Sequence, residues 1–577
     1  MRTTKNGARL AVVAAAGALV LAACGGGGSS SGGGGGGEGQ AGGTAYILTN
    51  AEQLLTLDPQ VVYTGEDLAF LGATLTRTLT NYKLSADNAE GTSLVADMAT
   101  DTGTASNGGK TWQFTLRDGV TWETGDPVTC ADIKYGTSRT FDLGVSEGGP
   151  TYAVAYLDIP SAEDGSSQYK GPSAKDAAGQ ALFDKAVTCS DDNKTITFNL
   201  KKPVPDFNYA VTLHSFAAVP QALDTGAEYG NKIVSNGPYK IESYEKGKGG
   251  KLVLVRNDKW NPDSDPFRKA YPDKWQVDFG LDETVIDQRL IADSGNDQTA
   301  MSQGMLTATL PQVFEEASEL TGRAIDAFDP YVRYVAINVE KVKDVKVRQA
   351  IAVAVDRAAL LKNAGGKFAG DYADGVVKPN IGIDYAPTGL WDDLLGQAVP
   401  PEGDPEFAKK LLAEAGVKDL TLTYDYAQSD DNDKAAAIWV ESLKRAGITV
   451  KPNPIEAGQY YGVVFDNPNE LIGGGWGPDW PNASTVIPPL YTVEGGWDLS
   501  RVDDKAFNEK VQAASIELDR TKQAALWQEL NKEAAKNMWV VPLRFGRDQR
   551  MAGSKIGPIY SWPAYGSWPY AEMYVKQ

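Results

Sequence analysis

Histidine, cysteine and long apolar runs are what this 577-residue sequence has least of: one His, three Cys, and no extended hydrophobic stretch after Ala23. The single imidazole, His214, excludes the multi-histidine site of a direct metal binder. It also leaves one candidate for the base of a catalytic triad. Without a later apolar run, no segment of the body is expected to cross a bilayer as a helix. Positive charge is scarce too, with 55 Lys and Arg against 75 Asp and Glu, a net charge of −20. Such a body repels a polyanion, so nucleic acid is excluded as a partner. The acidity is read as solubility outside the cell rather than as an acidic binding surface.

The amino terminus is different in kind. Arg2, Lys5 and Arg9 precede Leu10 to Ala23, a stretch with no charged or polar side chain, the layout of a secretory signal. It is too short for a membrane span. Leu21-Ala22-Ala23-Cys24 resembles a bacterial lipobox, which implies cleavage before Cys24 and a diacylglyceryl group on its sulfur; the plainer alternative is an ordinary signal peptide that carries a Cys. Acyl chains contribute about 0.8 kcal/mol per buried methylene, so two or more hold a protein on a membrane that it does not cross. From Gly25 to Gly43 there are thirteen Gly and three Ser. A chain of this composition and length is a flexible tether of roughly 25 Å root-mean-square span. Loss of Arg2, Lys5 and Arg9 with the leader takes the net charge to −23.

The body from Thr44 to Gln577 exceeds what one hydrophobic core supports, so two or three domains are expected. Its other cysteines, Cys130 and Cys189, are most simply a pair in an exported protein, with two separate buried thiols as the alternative. A bridge over that separation would stabilise by about 4 kcal/mol on the loop-entropy estimate.

Hydrophobic patterning gives a mixed α/β chain. A strand is expected over 45–49, a helix over 67–79, and paired strands over 111–122 about Asp118-Gly119. Thr129 and Asp132 can start a helix near Cys130. Residues 144–179, rich in Gly, Ser, Asp and Pro, read as a long surface insertion. Strands follow over 195–200, 239–244, 252–257 and 335–338, and a helix over 344–362. Two helix-then-strand units, 406–415 before 420–424 and 433–446 before 448–450, suit an α/β lobe.

Several segments together resemble the family 5 extracellular solute-binding proteins of ATP-driven importers, the oligopeptide- and dipeptide-binding group. They include Trp112-Gln113-Phe114-Thr115-Leu116-Arg117-Asp118-Gly119-Val120, Asn236-Gly237-Pro238-Tyr239, Arg256-Asn257-Asp258-Lys259-Trp260, Val347-Arg348-Gln349-Ala350-Ile351-Ala352-Val353-Ala354-Val355-Asp356-Arg357 and Gly475-Trp476-Gly477-Pro478-Asp479-Trp480-Pro481. The resemblance implies a periplasmic-binding-protein-like α/β fold of two lobes, with the ligand cleft between them and an extra small domain. Mapped onto this chain, residues 1–23 are the lipoprotein signal and 24–43 the tether. Lobe I takes 44–90, 205–310 and 545–577, the extra domain 91–204, and lobe II 311–544. Both Cys130 and Cys189 then fall in the extra domain, which favours their pairing.

The same resemblance supplies the site. In peptide-binding relatives an Asp in a Gly-Trp-x-x-Asp segment meets the ligand's α-ammonium, and Asp479 matches it. Gly475, Trp476 and Trp480 flank that position, and Tyr63, Thr64 and Gly65 match the opposite wall. Pro478 departs from commoner family versions and has no N–H to donate. The expected activity is non-catalytic: a monomer on the outer face of the cell membrane, using no cofactor or metal, binds a peptide or other small solute and delivers it to an ABC permease. An oligosaccharide ligand is the runner-up, since Trp476, Trp480, Trp497, Trp562 and Trp568 with Tyr560, Tyr565 and Tyr570 could stack sugar rings. A ligand sensor without transport uses the same fold. Gly144-Val145-Ser146-Glu147-Gly148 matches a hydrolase elbow, but it lacks the apolar strand before it that an elbow needs. Asp430, Asp431, Asn432 and Asp433 resemble part of a calcium loop without its Gly and distal Glu, and are read as the loop before a helix.

Overall fold

A computed structural model of the chain describes residues 39–493 and 495–577. The leader, Cys24 and most of the glycine tether lie outside them. Within the described residues two large sheets and a smaller one carry the fold.

The first sheet has the order Ala300–Ser302, Thr44–Leu48, Lys274–Asp278, Lys251–Arg256, Tyr239–Glu245; Thr44–Leu48 runs parallel to both its neighbours and the rest are antiparallel. The second has six strands: Gly370–Tyr372, Val540–Met551, Ala324–Ile337, Leu471–Trp476, Thr421–Ala427, Thr449–Ile455. Its central strand alternates between two cores. Val335 and Ile337 pack with the helices Val345–Ala354, Pro405–Glu414 and Asp430–Arg445, while Val332, Tyr334 and Ala336 face Arg520–Asn537 and Lys505–Ser515. A strand covered on both faces is apolar throughout, as Val335 to Ile337 is. Thr449–Ile455 carries Pro452 and Pro454, which is tolerable because it is the edge strand. The third sheet, Thr104–Ser106, Thr111–Thr115, Thr195–Asn199, Val187–Cys189, is antiparallel and shares one continuous core with the first. The fold is thus of two sheet-centred lobes, with the small antiparallel sheet built onto the first.

Two long strands link the lobes. Ala324–Ile337 and Val540–Met551 pair from Ala324↔Met551 to Ala336↔Val540, with a bulge between Phe328 and Val332. At their far end Met551 N donates to Ser302 Oγ at 3.0 Å on the first sheet's edge. Polar contacts fix the remaining joints. The Arg77 and Arg268 guanidiniums, both buried, converge on Asp97 at 3.0 and 2.8 Å. Cys130 and Cys189 are disulfide-bonded, joining the helix Cys130–Arg139 to the strand Val187–Cys189.

The structure differs from the sequence expectations at several places. The helix expected over 67–79 is Gly65–Thr74; beyond Leu75 the backbone turns because Arg77 N donates to Asn236 Oδ1 at 2.8 Å. No hairpin forms about Asp118-Gly119: Thr111–Thr115 pairs instead with Thr195–Asn199, eighty-odd residues on. The 144–179 segment is not confined to the surface, since Ala153, Leu157, Ile159 and Tyr169 are buried in the main core. The strand expected over 335–338 begins at Ala324. Its first half is broken up by Asp326, Asp329 and Pro330 and carries no apolar run. The helix over 344–362 is two, Val345–Ala354 and Arg357–Asn363, broken where Asp356 caps the second by accepting from Ala359 N at 2.8 Å.

Candidate functional site

The main cavity, about 1000 Å³, lies between the lobes. Such a volume is at the upper end of small-ligand pockets. Its floor is the six-stranded sheet, with Arg333 and Tyr334 on one strand, Gly473 to Trp476 on the next and Arg544 on the third. Tyr63, Gly65 and Leu68 form the opposite wall.

Asp479 stands just past the end of the strand Leu471–Trp476, in a loop organised by one threonine. Thr485 Oγ1 accepts from Asp479 N at 3.2 Å and donates to Asn482 O at 2.9 Å, and Thr485 O accepts from Trp476 Nε1 at 2.7 Å. Pro478 has no N–H to offer, so Thr485 takes over the fixing of the next residue. The Asp479 carboxylate accepts from Tyr63 Oη at 2.6 Å and from Tyr152 Oη. Among the described residues no cation lies within ion-pairing distance of it. Burial pushes its carboxyl above the ordinary carboxylate range, and the two hydroxyls pull the other way. Asp479 is thus a half-buried acceptor served only by neutral donors.

Each donor is held by its own element. Tyr63 precedes the helix Gly65–Thr74, whose first turn is capped by Thr64 Oγ1 accepting from Asp67 N at 3.4 Å. The turn before it is anchored by Asp58, gripped through both oxygens by Arg139 at 2.8 Å each. Tyr152 begins the short helix Tyr152–Tyr156 and packs edge-on against Trp480, ring centroids 4.6 Å apart. Sequence reasoning missed Tyr152 because its segment has a loop's composition; the aromatic pair Tyr152 and Tyr156, one helical turn apart, was the available signal.

Of the residues singled out from sequence, Tyr63, Gly65, Gly475, Trp476 and Asp479 line the cavity. Thr64 is the helix cap beside it. Trp480 is elsewhere: fully buried, it donates through Nε1 to Asp206 Oδ2 at 2.8 Å, and Ser484 Oγ donates to the same oxygen. Trp480 therefore ties the loop after the strand Leu471–Trp476 to the segment around Asp206. Among the other aromatics Trp497 and Tyr565 reach the cavity, while Trp562, Trp568 and Tyr570 are buried in the first core. Tyr560 donates to Glu572. At Gly474 an added Cβ would come within 2.7 Å of the Tyr334 ring, so packing accounts for at least one residue of the glycine run.

The competing motifs dissolve into local structure. Ser146 Oγ donates to Thr140 O and Asp142 O, both at 3.0 Å, and no hydrogen bond joins it to His214 among the described residues. His214 is sealed in the core, where burial pushes its imidazole down to about 3. Asp430, Asp431 and Asp433 form the first turn of the helix Asp430–Arg445, where their charge suits the helix dipole. The helix begins three residues earlier than the spacing predicts.

Comparison with known proteins places these features in context. The model of the bacterial extracellular solute-binding proteins, family 5, matches residues 93–498. The oligopeptide-binding protein OppA of Bacillus subtilis (strain 168) is 25% identical over 495 residues, covering 82% of this chain and 83% of its own. The periplasmic oligopeptide-binding protein OppA of Salmonella typhimurium is 26% identical over 500 residues, 81% of each chain. Among solved structures, clavulanic acid biosynthesis oligopeptide binding protein 2 superposes with a TM-score of 0.82 at 27% identity, over 93% of this chain and 96% of its own. The Helicobacter pylori DppA complex with peptide STSA has a TM-score of 0.65 at 20% identity, covering 93% and 99%, and shares the fold.

Proposed function

This chain belongs to the bacterial extracellular solute-binding proteins of family 5, and from that premise we propose that it captures peptides outside the cytoplasmic membrane and delivers them to the permease of an ABC importer. The observation that carries the peptide reading is Asp479: a carboxylate at the cleft between the lobes, met among the described residues only by the hydroxyls of Tyr63 and Tyr152. A ligand ammonium supplies the charge that these neutral donors lack, and charge-assisted hydrogen bonds are about twice as strong as neutral ones. The relatives described as oligopeptide-binding support the same ligand class. Closure follows from differential affinity: a ligand touching both walls binds the closed form better and shifts the population toward it. The closed form then docks on the permease. The Leu21-Ala22-Ala23-Cys24 junction supports a lipid anchor on the outer face of the membrane, with the glycine tail as tether.

Calorimetry with tetra-alanine, N-acetyl-tetra-alanine and maltotetraose tests the ligand class. Tetra-alanine is expected to bind, and Asp479→Ala or acetylation to weaken it by about 30-fold or more, the scale of leaving one buried charge unpaired. Equal affinity for the acetylated peptide would sink the ammonium assignment. Binding of maltotetraose alone would establish the sugar reading.

A further inference from the structure

The floor of the cavity carries an unbalanced positive charge. In the six-stranded sheet Gly475 lies opposite Arg333, Arg333 opposite Arg544, and Arg544 opposite Tyr372. Residues directly opposite one another in antiparallel pairs point to the same face. These four therefore form a row across four strands, and a Cβ at Gly475 would come within 3.3 Å of Arg333 Cδ. At the end of the row Arg357, first residue of the helix Arg357–Asn363, lies 5.8 Å from the Tyr372 ring. Arg333, Arg357 and Arg544 all line the cavity.

Among the described residues only one of the three has a carboxylate within ion-pairing distance, and that carboxylate, Asp329, also meets Lys378 at 2.9 Å. Arg333 pairs with Asp329 at 3.5 Å. Arg544 has neither an ion pair nor a side-chain hydrogen bond among the described residues, and its Nε is sealed from solvent without a partner. Arg357 is 2% exposed and rigidly seated. Its Nη2 donates to Val399 O and Pro400 O at 2.9 and 3.1 Å, its guanidinium stacks on Trp391 at 3.7 Å, and its Nε is likewise unpartnered. Burial pushes both guanidiniums down to about 10, so both remain charged near neutral pH. The carboxylates that share the cavity wall do not balance them: Asp431 pairs with Lys434 at 3.2 Å, and Asp479 is held by the two tyrosines. A chain of net charge −20 thus has, among its described residues, two cations in the cleft without an ion pair.

We infer that the cavity is specific for acidic peptides, with Arg544 and Arg357 together receiving an acidic side chain as well as the terminal carboxylate. The inference rests on the peptide reading and adds a ligand class to it. Among the described residues the terminal nitrogens of Arg544 have no partner and suit a two-bond contact with one carboxylate, while Arg357, its Nη2 already donating to Val399 O and Pro400 O, offers Nη1 and its charge to a second anionic group. With neighbouring strands about 4.8 Å apart, Arg544 lies about 10 Å from Gly475 across the sheet, the reach of three extended residues. An acidic residue two or three positions from the ammonium end is therefore within range.

Calorimetry with a set of alanine tetrapeptides, carrying Glu or Gln at each position in turn, tests this. At one position at least the Glu peptide is expected to bind tenfold or more tighter than its Gln counterpart. Arg544→Gln should bring that ratio to within twofold, and Arg544→Lys, which keeps the charge and guards against a folding defect, should retain part of it. Equal affinity of every Glu and Gln pair for the unaltered protein overturns the inference and leaves the peptide reading standing. Absence of binding by any tetrapeptide overturns both. A Glu preference that survives Arg544→Gln undiminished also overturns the assignment.

Discussion

Asp498 shows how one carboxyl behind the cavity wall makes stability depend on pH. It follows Trp497, its Oδ2 accepts from Val502 N at 2.7 Å, and its Oδ1 is buried without a partner among the described residues. Burial pushes it up to about 7 against the backbone hydrogen bonds that pull it down. In the unfolded chain the same group titrates near 3.9. Its folded value is raised, so its contribution to stability is complete below about pH 4 and is lost as pH rises through 7. Asp498→Asn removes the titration while keeping an oxygen for Val502. The variant's melting temperature is expected to exceed the parent's at pH 8, with the gap closing by pH 4; equal values at pH 8 would show that the charge costs nothing. At this scale legibility varied with context. Asp479, Trp476 and Tyr63 stood in a recognisable pattern, whereas Tyr152 was hidden in a Gly- and Pro-rich segment. Arg544 and Arg357 gave no signal, because an isolated Arg in a strand or at a helix start is ordinary until its missing partner is seen.

Elements were legible where the pattern was local. The capping pair at the helix Cys130–Arg139 is one case: Asp132 accepts from both the N–H and the hydroxyl of Thr129, at 2.9 and 2.8 Å. What the helix packs against was not legible. A Cβ on Gly136 would come within 2.0 Å of Ala217 O, so the helix lies directly on the backbone of a segment eighty residues away. Gly136→Ala gains about 1 kcal/mol of helix propensity. Overpacking against a backbone costs about 1–3 kcal/mol, more than the gain. The urea midpoint is therefore expected to fall with an unchanged slope, and a raised midpoint would show that the segment yields. The absent hairpin at Asp118-Gly119 has a related cause. The turn dipeptide is present, but the partner strand that buries Trp112 and Phe114 comes from Thr195–Asn199. Alternation shows that a strand has one buried face and is silent about which strand lies beside it.

At the scale of the whole molecule, charge and anchoring bear on each other. A chain of net charge −20 is repelled by anionic lipid headgroups, so electrostatics cannot hold it at a membrane. A lipid on Cys24 can. The unaltered protein is expected to stay in the membrane fraction through a high-salt wash, and Cys24→Ser to appear in the medium. A Cys24→Ser protein that remained membrane-bound would refute the anchor.

The sequence by itself determined the α/β class and the family, because each is written in hydrophobic patterning or in contiguous residues. The tertiary structure alone decided that Tyr63 and Tyr152 meet on Asp479, that Trp480 is buried against Asp206 instead of lining the cavity, and that Arg544 and Arg357 face the cleft without an ion pair among the described residues. Those facts depend on strand register and on contacts between residues hundreds of positions apart. Whether a polar group has a partner is fixed by the three-dimensional neighbourhood of its atoms, which no local stretch of chain encodes.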